Sequence, residues 1–135
     1  GAVEVVSRDE INDTNSRPLL SAKWAGGVDT VGGNTLGTVL RGTMNRGAVA
    51  ACGVVAGPEL PITVYPFILR GVALRGIDSA NAGNDDRVKI WNQLAGDWSI
   101  QLPESMRKIV SLQEIDTEVQ SILSGKVAGR VILEF

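Results

Sequence analysis

The stretch GAVAACGVVAG, residues 47–57, decides the fold class of this chain. It is continuously apolar and ends in glycine, which is typical of a strand buried on both faces of a parallel sheet. A second short apolar run, residues 26–33 (GGVDTVGG), precedes it and opens into a turn. Between the two runs, Asn34 is expected to cap a helix that ends near Gly42. Alternation of strands and helices predicts an α/β fold with a mainly parallel sheet.

The residues before these runs predict two further elements. Residues 4–6 are expected to form a short strand, followed by a polar loop. Pro18 suits the first turn of a helix that would bury Leu19 and Leu20. Together with the first pattern, this gives two strand–helix–strand units in succession.

The second half of the chain predicts one more strand near a sheet edge, two helices and a final strand. Residues 71–78 alternate in character and follow three prolines, which favours an edge strand. Asn84 caps a helix whose inner face is expected to carry Val88, Trp91, Leu94 and Ala95. Ser111 and Glu114 form a capping box for the next helix, and residues 129–135 form the last strand.

Composition limits the partners of the chain. It has 135 residues, enough for one core, with 44% hydrophobic and 21% charged residues, so we expect a globular protein. A net charge of −2 gives nucleic-acid binding little electrostatic support. We find neither an export signal nor an apolar stretch long enough to span a membrane. The sequence therefore predicts a cytoplasmic protein that binds neither nucleic acid nor membrane.

The sequence predicts no catalytic side chain and no metal site. Histidine is absent, which removes the commonest general base and the commonest metal ligand. Cys52 is the single cysteine, and it has no histidine to activate it, so we interpret it as a packing residue. The adjacent Asp85 and Asp86 are explained by the helix N-terminus that they share.

The pattern of strands and glycines is that of the later part of a dinucleotide-binding domain. No G-x-G-x-x-G motif follows a strand anywhere in these residues. The fold class that we expect is therefore α/β and partly Rossmann-like, with a doubly wound, mainly parallel sheet and flanking helices, and without the glycine-motif βα unit.

Several motifs together resemble the medium-chain dehydrogenase/reductase superfamily. They are VDTVGG, GAVAACG, the run PFILRGV at residues 66–72, GIDS at residues 76–79, and a terminal helix followed by GKVAGRVILEF. Within the superfamily, the chain is similar to the zinc-free, quinone-oxidoreductase-like branch that includes acrylyl-CoA reductases. The resemblance extends along essentially all of the chain.

This resemblance implies a domain organisation and an activity. Residues 1–110 would be the later part of the Rossmann domain, and residues 111–135 would be the helix and strand that return to the GroES-like substrate domain. The complete protein would be an NADPH-dependent oxidoreductase, without metal, that reduces an enoyl C=C bond or a quinone. An alternative is that the short chain is itself a non-catalytic binding or oligomerisation module derived from a truncated dehydrogenase.

The resemblance also assigns cofactor-binding positions, each with a structural alternative. Arg8 would contact the bound NADP, but it could also be a surface arginine paired with Asp9 or Glu10. Val54 follows the end of a strand, where ligands lie in open α/β sheets, or it is core. Ile68 and Ser79 match further contact positions, although without the resemblance they would be a packing residue and a turn former.

The resemblance finally implies a homodimer. In the family, the segment corresponding to residues 72–78 joins two Rossmann sheets across a two-fold axis. Its only charges are Arg75 and Asp78, which is light protection for an exposed sheet edge. We therefore expect residues 72–78 to pair with their own copy.

Overall fold

The computed structural model describes residues 2–135, which form two compact units, one ending at Ala82 and the other covering Gly83–Phe135. The first unit is a three-stranded parallel sheet in the order β1-β2-β3, in which helices connect successive strands. Its elements are β1 (Trp24–Asp29), α1 (Gly33–Gly42), β2 (Thr43–Ala51), α2 (Tyr65–Arg70) and β3 (Ala73–Gly76), preceded by a 3-10 turn at Asp9–Ile11. Parallel strands with flanking helices confirm the predicted α/β class.

The second unit contains one parallel strand pair and two helices. Its elements are α3 (Asn84–Ala95), β4 (Arg107–Ser111), α4 (Ile115–Leu123) and β5 (Arg130–Glu134), with 3-10 turns at Glu104–Met106 and Leu112–Glu114. The predicted domain division at residue 110 concerns a longer protein, and it stays a prediction.

The core of the first unit lies on one face of its sheet. Leu36 and Leu40 of α1 pack with Val49 of β2 and with Val72, all of them buried. Because side chains alternate along a strand, Val49 points towards α1 while its neighbour Ala48 is exposed. The prediction that this strand is buried on both faces is therefore wrong for these residues, since only one face is covered.

Helix α1 was predicted correctly, except for its start. Gly32 is the N-cap, and Asn34 lies inside the first turn. At the other end, Thr43 Oγ1 donates to the carbonyl of Val39 at 2.7 Å, and the Lys23 amide donates to the carbonyl of Gly42 at 2.8 Å. The carbonyls that a helix leaves unpaired at its C-terminus are thus satisfied by other segments.

The two elements predicted before β1 are not present. Residues 4–6 form no strand, and the residues after Pro18 form no helix. Instead, the preceding segment lies along α1, where the Arg41 guanidinium donates to the carbonyls of Asp13, Asn15 and Arg17 at 2.8–3.0 Å. This buried arginine organises the segment because extended backbone needs hydrogen-bond partners outside itself.

The two helices of the second unit differ in how well the structure matches their predicted features. The predicted capping box is confirmed, because the Ser111 amide and hydroxyl donate to Glu114 Oε2 at 2.9 and 2.7 Å. In α4, Glu118 is buried and pairs with Lys108 of β4 at 2.5 Å. In α3, however, the side chains predicted to form an inner face are exposed, Trp91 among them.

Candidate functional site

A cleft of about 530 Å³ lies at the carboxyl ends of β2 and β3. Its volume is in the range of small-molecule and cofactor sites. This edge of an open parallel sheet is where such folds bind ligands, because the strands end there and the loops that follow diverge. Among the residues lining the cleft are Cys52, Val54, Glu59, Ile77 and Asp78.

The wall of the cleft next to β1 is made of closely packed backbone. A Cβ atom on Gly53 would collide with the main chain of Thr30, and one on Gly32 would lie 2.7 Å from the Gly57 carbonyl oxygen. Gly32 also has φ +72°, a conformation that other residues adopt only with strain. The loop carrying Val54 is thereby held against the turn that begins α1.

Asp29 fixes that turn from the end of β1. This buried carboxylate accepts a hydrogen bond from the Gly32 amide at 2.8 Å, while its own carbonyl accepts one from the Cys52 amide at 2.9 Å. The strand ends, the turn and the loop therefore form one connected wall.

The opposite wall ends in a side-chain-stabilised turn at Asp78. Its carboxylate accepts hydrogen bonds from the Asn81 side chain at 2.8 Å and from the Asn81 amide at 3.2 Å. These bonds stabilise the ionised form and lower the pKa of Asp78 below its ordinary value. Ser79 comes directly after this residue in the chain.

The four predicted cofactor-binding residues take different positions in the first unit. Val54 lines the cleft, and Ser79 adjoins Asp78, which lines it. Ile68 lies on α2, with its side chain 67% exposed, and Arg8 lies before β1. Ile68 and Arg8 are not among the residues lining the cleft.

Arg8 does not make the ion pair that its structural alternative requires. Among residues 2–135, its guanidinium forms no hydrogen bond or ion pair. The carboxylate of Glu10 is engaged with Ser7 instead, accepting a 3.0 Å hydrogen bond from the Ser7 amide. This bond is the largest cause of a lowered pKa of Glu10.

The structure adds cleft residues that the sequence did not assign to a site. Cys52, predicted to be a packing residue, is exposed in the cleft, and its thiol donates to the Asp29 carbonyl at 3.4 Å. Its place directly after β2 was a signal for the cleft, because residues at strand carboxyl ends face it. Glu59 carries no such signal, since it comes from the irregular segment before α2.

Among residues 2–135, no three His, Cys, Asp or Glu side chains are grouped so that they could hold a metal ion. No helix in the same range combines the length and the apolar character needed to cross a bilayer.

The chain is similar to known oxidoreductases along almost its whole length. No protein-family model matches it. Acrylyl-CoA reductase AcuI of Ruegeria pomeroyi is 46% identical over 135 residues, covering 99% of this chain and 41% of that protein. The chain thus spans about two fifths of the length of this relative.

Solved structures give the same correspondence. Bacillus subtilis yhfP, solved with NAD bound, superposes with a TM-score of 0.87 and 39% identity over 100% of this chain and 41% of that one. Escherichia coli K-12 YhdH, solved with bound NADPH, gives a TM-score of 0.83 and 41% identity over 98% of this chain and 41% of that one.

Proposed function

We propose that the chain contributes the later Rossmann strands of an NADPH-dependent oxidoreductase. The proposal follows from its family, because the chain belongs to the zinc-free, quinone-oxidoreductase-like branch of the medium-chain dehydrogenase/reductase family. The reaction would be reduction of an activated carbon–carbon double bond or of a quinone. The names of the relatives support this proposal, as do the nicotinamide cofactors in their structures.

The observation that carries the proposal is the cleft at the ends of β2 and β3. Its glycine-rich wall has a defined shape, because Gly53 and Gly32 have no side chains and neighbouring backbone packs directly against them. Its volume of about 530 Å³ suits the nicotinamide half of a dinucleotide. The residues present therefore fit this part of the cofactor.

The proposed contacts of Val54 and Ser79 follow from their positions in and beside the cleft, whereas those of Ile68 and Arg8 rest on the family resemblance. Val54 would border the nicotinamide from the loop after β2, and Ser79 from the turn after Asp78. Ile68 would contact it from α2, while the unpaired guanidinium of Arg8 would hold an anionic group of the cofactor. When bound, the nicotinamide supplies the hydride, and the protein supplies orientation and electrostatics.

The remaining parts of the proposal concern the whole protein. Residues 111–135 would return to a GroES-like substrate domain, and the protein would work in the cytoplasm without a metal ion. The β3 edge, with residues 72–78, would join two copies. Among residues 2–135, β3 is the last strand of its sheet and pairs with β2 on one side only, which leaves that edge open for such pairing.

The activity is tested with the full-length protein that carries this sequence. We expect NADPH oxidation with acrylyl-CoA or with a small quinone, and slower oxidation of NADH. Comparison of kcat/KM between the two acceptors assigns the substrate class. Absence of turnover with both acceptors, in a protein that binds NADPH tightly, would reject the proposed reaction but not the cofactor site.

The cofactor contact of Arg8 is tested separately, by binding. Arg8→Ala should weaken NADPH binding by about 1–2 kcal/mol, the scale of a charge-assisted hydrogen bond. Arg130→Ala is the matched control, because Arg130 is also exposed but lies on β5 in the second unit. Equal dissociation constants for the two variants would return Arg8 to the role of a surface arginine.

A further inference from the structure

Ser7 and Glu10 close a turn around Arg8 with two reciprocal hydrogen bonds. The Ser7 amide donates to Glu10 Oε1 at 3.0 Å, and the Glu10 amide donates to Ser7 Oγ at 3.4 Å. This is the bonding pattern of a capping box, here beginning one residue before Arg8, the N-cap of the 3-10 turn Asp9–Ile11. The box fixes the backbone on both sides of Arg8, which has φ −61° and ψ −32°.

The same bonds engage one oxygen of a carboxylate with which the Arg8 guanidinium would otherwise pair. An exposed arginine followed closely by acidic residues is expected to pair with one of them. Here the Glu10 carboxylate is directed back to Ser7, and the Arg8 guanidinium has no partner within residues 2–135. The turn thus orders the backbone at Arg8 and leaves its guanidinium without an ion-pair partner among these residues.

We infer that Ser7 and Glu10 are positioning residues, which hold the Arg8 guanidinium ready for the anionic group of the cofactor. The inference rests on the proposed function, because it takes Arg8 to be a cofactor contact. Its physical basis is preorganisation: a turn that is already ordered loses less conformational entropy when the ligand binds.

Electrostatics alone and positioning predict opposite effects of removing Glu10 on the affinity for NADPH. A carboxylate near an anion site repels the anion, so Glu10→Ala would tighten NADPH binding if electrostatics decided the result. Positioning predicts weaker binding for Glu10→Ala and for Ser7→Ala. Glu10→Gln separates the two accounts further, because glutamine removes the charge but keeps the acceptor that a capping box uses.

The chain contains a matched control for the box itself. Ser111 and Glu114 make the same reciprocal arrangement in the second unit, and the two residues between them, Leu112 and Gln113, are uncharged. Ser111→Ala and Glu114→Ala therefore remove an equivalent box with no arginine inside it.

The experiment measures the NADPH dissociation constant of the full-length protein by fluorescence titration, with thermal unfolding as the folding check. Ser7→Ala and Glu10→Ala should raise the constant by roughly threefold to tenfold, the range for loss of a helix cap. Glu10→Gln, Ser111→Ala and Glu114→Ala should leave it within about twofold of the unmodified protein, which is smaller than the loss of a cap.

A double variant decides whether Glu10 acts through Arg8. If it does, Glu10→Ala has no further effect in an Arg8→Ala background. Additive effects would overturn the inference, as would an unchanged or lower constant for Glu10→Ala alongside a raised one for Arg8→Ala; in both cases the proposed function stands. An unchanged constant for Arg8→Ala would reject the contact itself, and the inference with it.

Discussion

Arg70 donates a 2.6 Å hydrogen bond to the carbonyl of Leu20, fifty residues earlier in the chain. The same guanidinium donates to the carbonyls of Arg41 and Thr43 at 2.9 and 3.1 Å. One side chain at the end of α2 therefore joins the segment before β1 to the junction between α1 and β2. Its positive charge also suits the C-terminus of α1.

Replacing Arg70 should loosen the first unit. Arg70→Ala is expected to lower the free energy of unfolding by about 2 kcal/mol, since hydrogen bonds to a charged group are lost and carbonyls are left unpaired. Hydrogen exchange of the β1 and β2 amides measures this. Arg46→Lys is the control, because Arg46 is an exposed arginine whose side chain makes no hydrogen bond among the described residues. Unchanged protection in Arg70→Ala would contradict the assignment.

Gly53→Ala should damage the wall of the cleft. Its new Cβ would meet the Thr30 backbone, which cannot move without disturbing the end of β1, so we expect a cost of about 1–3 kcal/mol. Gly76→Ala is the control from the same cleft, because a Cβ there meets nothing within 4 Å. Protection of the β1 amides against hydrogen exchange should decrease in Gly53→Ala and stay unchanged in Gly76→Ala.

Ile77→Lys should shift the protein towards monomer if residues 72–78 pair two copies. A lysine at a sheet edge opposes pairing, because its ammonium group must stay hydrated. Ile90→Lys is a matched control, since the two isoleucines are 50% and 51% exposed and Ile90 lies on α3. Light scattering over a range of concentrations gives the result. A monomeric unmodified chain would refute the pairing.

Ser111→Ala should raise the pKa of Glu114. Hydrogen bonds from the Ser111 amide and hydroxyl lower this pKa below its ordinary value. A carboxylate with a lowered folded pKa stabilises the fold above its unfolded pKa, and that contribution is lost as the pH falls through the lowered value. Carboxyl NMR titration should show the rise in Ser111→Ala. Ser121→Ala is the control, because the Ser121 hydroxyl donates to the carbonyl of Thr117. This variant should leave the titration midpoint of Glu114 unchanged.

The 135 residues alone should bind NADPH weakly. They contain no G-x-G-x-x-G motif, and in dinucleotide-binding domains this motif and the helix after it hold the pyrophosphate. Calorimetric titration of the isolated chain checks this expectation. Affinity in the low-micromolar range would show that the cleft and Arg8 suffice without that motif.

Part of the candidate site was predictable because its position follows from a general rule. Val54 comes after an apolar strand, and ligands lie at the carboxyl ends of parallel strands. Cys52 met the same condition, but its apolar surroundings in the sequence favoured packing. Glu59 could not be found in this way, because it enters the cleft from an irregular segment whose path depends on distant contacts.

Elements whose signals are local could be predicted from the amino-acid sequence. The spacing of Leu36 and Leu40 defined α1, and the Ser111–Glu114 box defined the start of the following helix, since each depends on residues within a few positions. The tertiary structure alone decided which sheet face is covered and what Arg70 binds. Its three acceptors lie 27 to 50 residues away, and a hydrogen bond over that separation exists only once the strands and helices have packed.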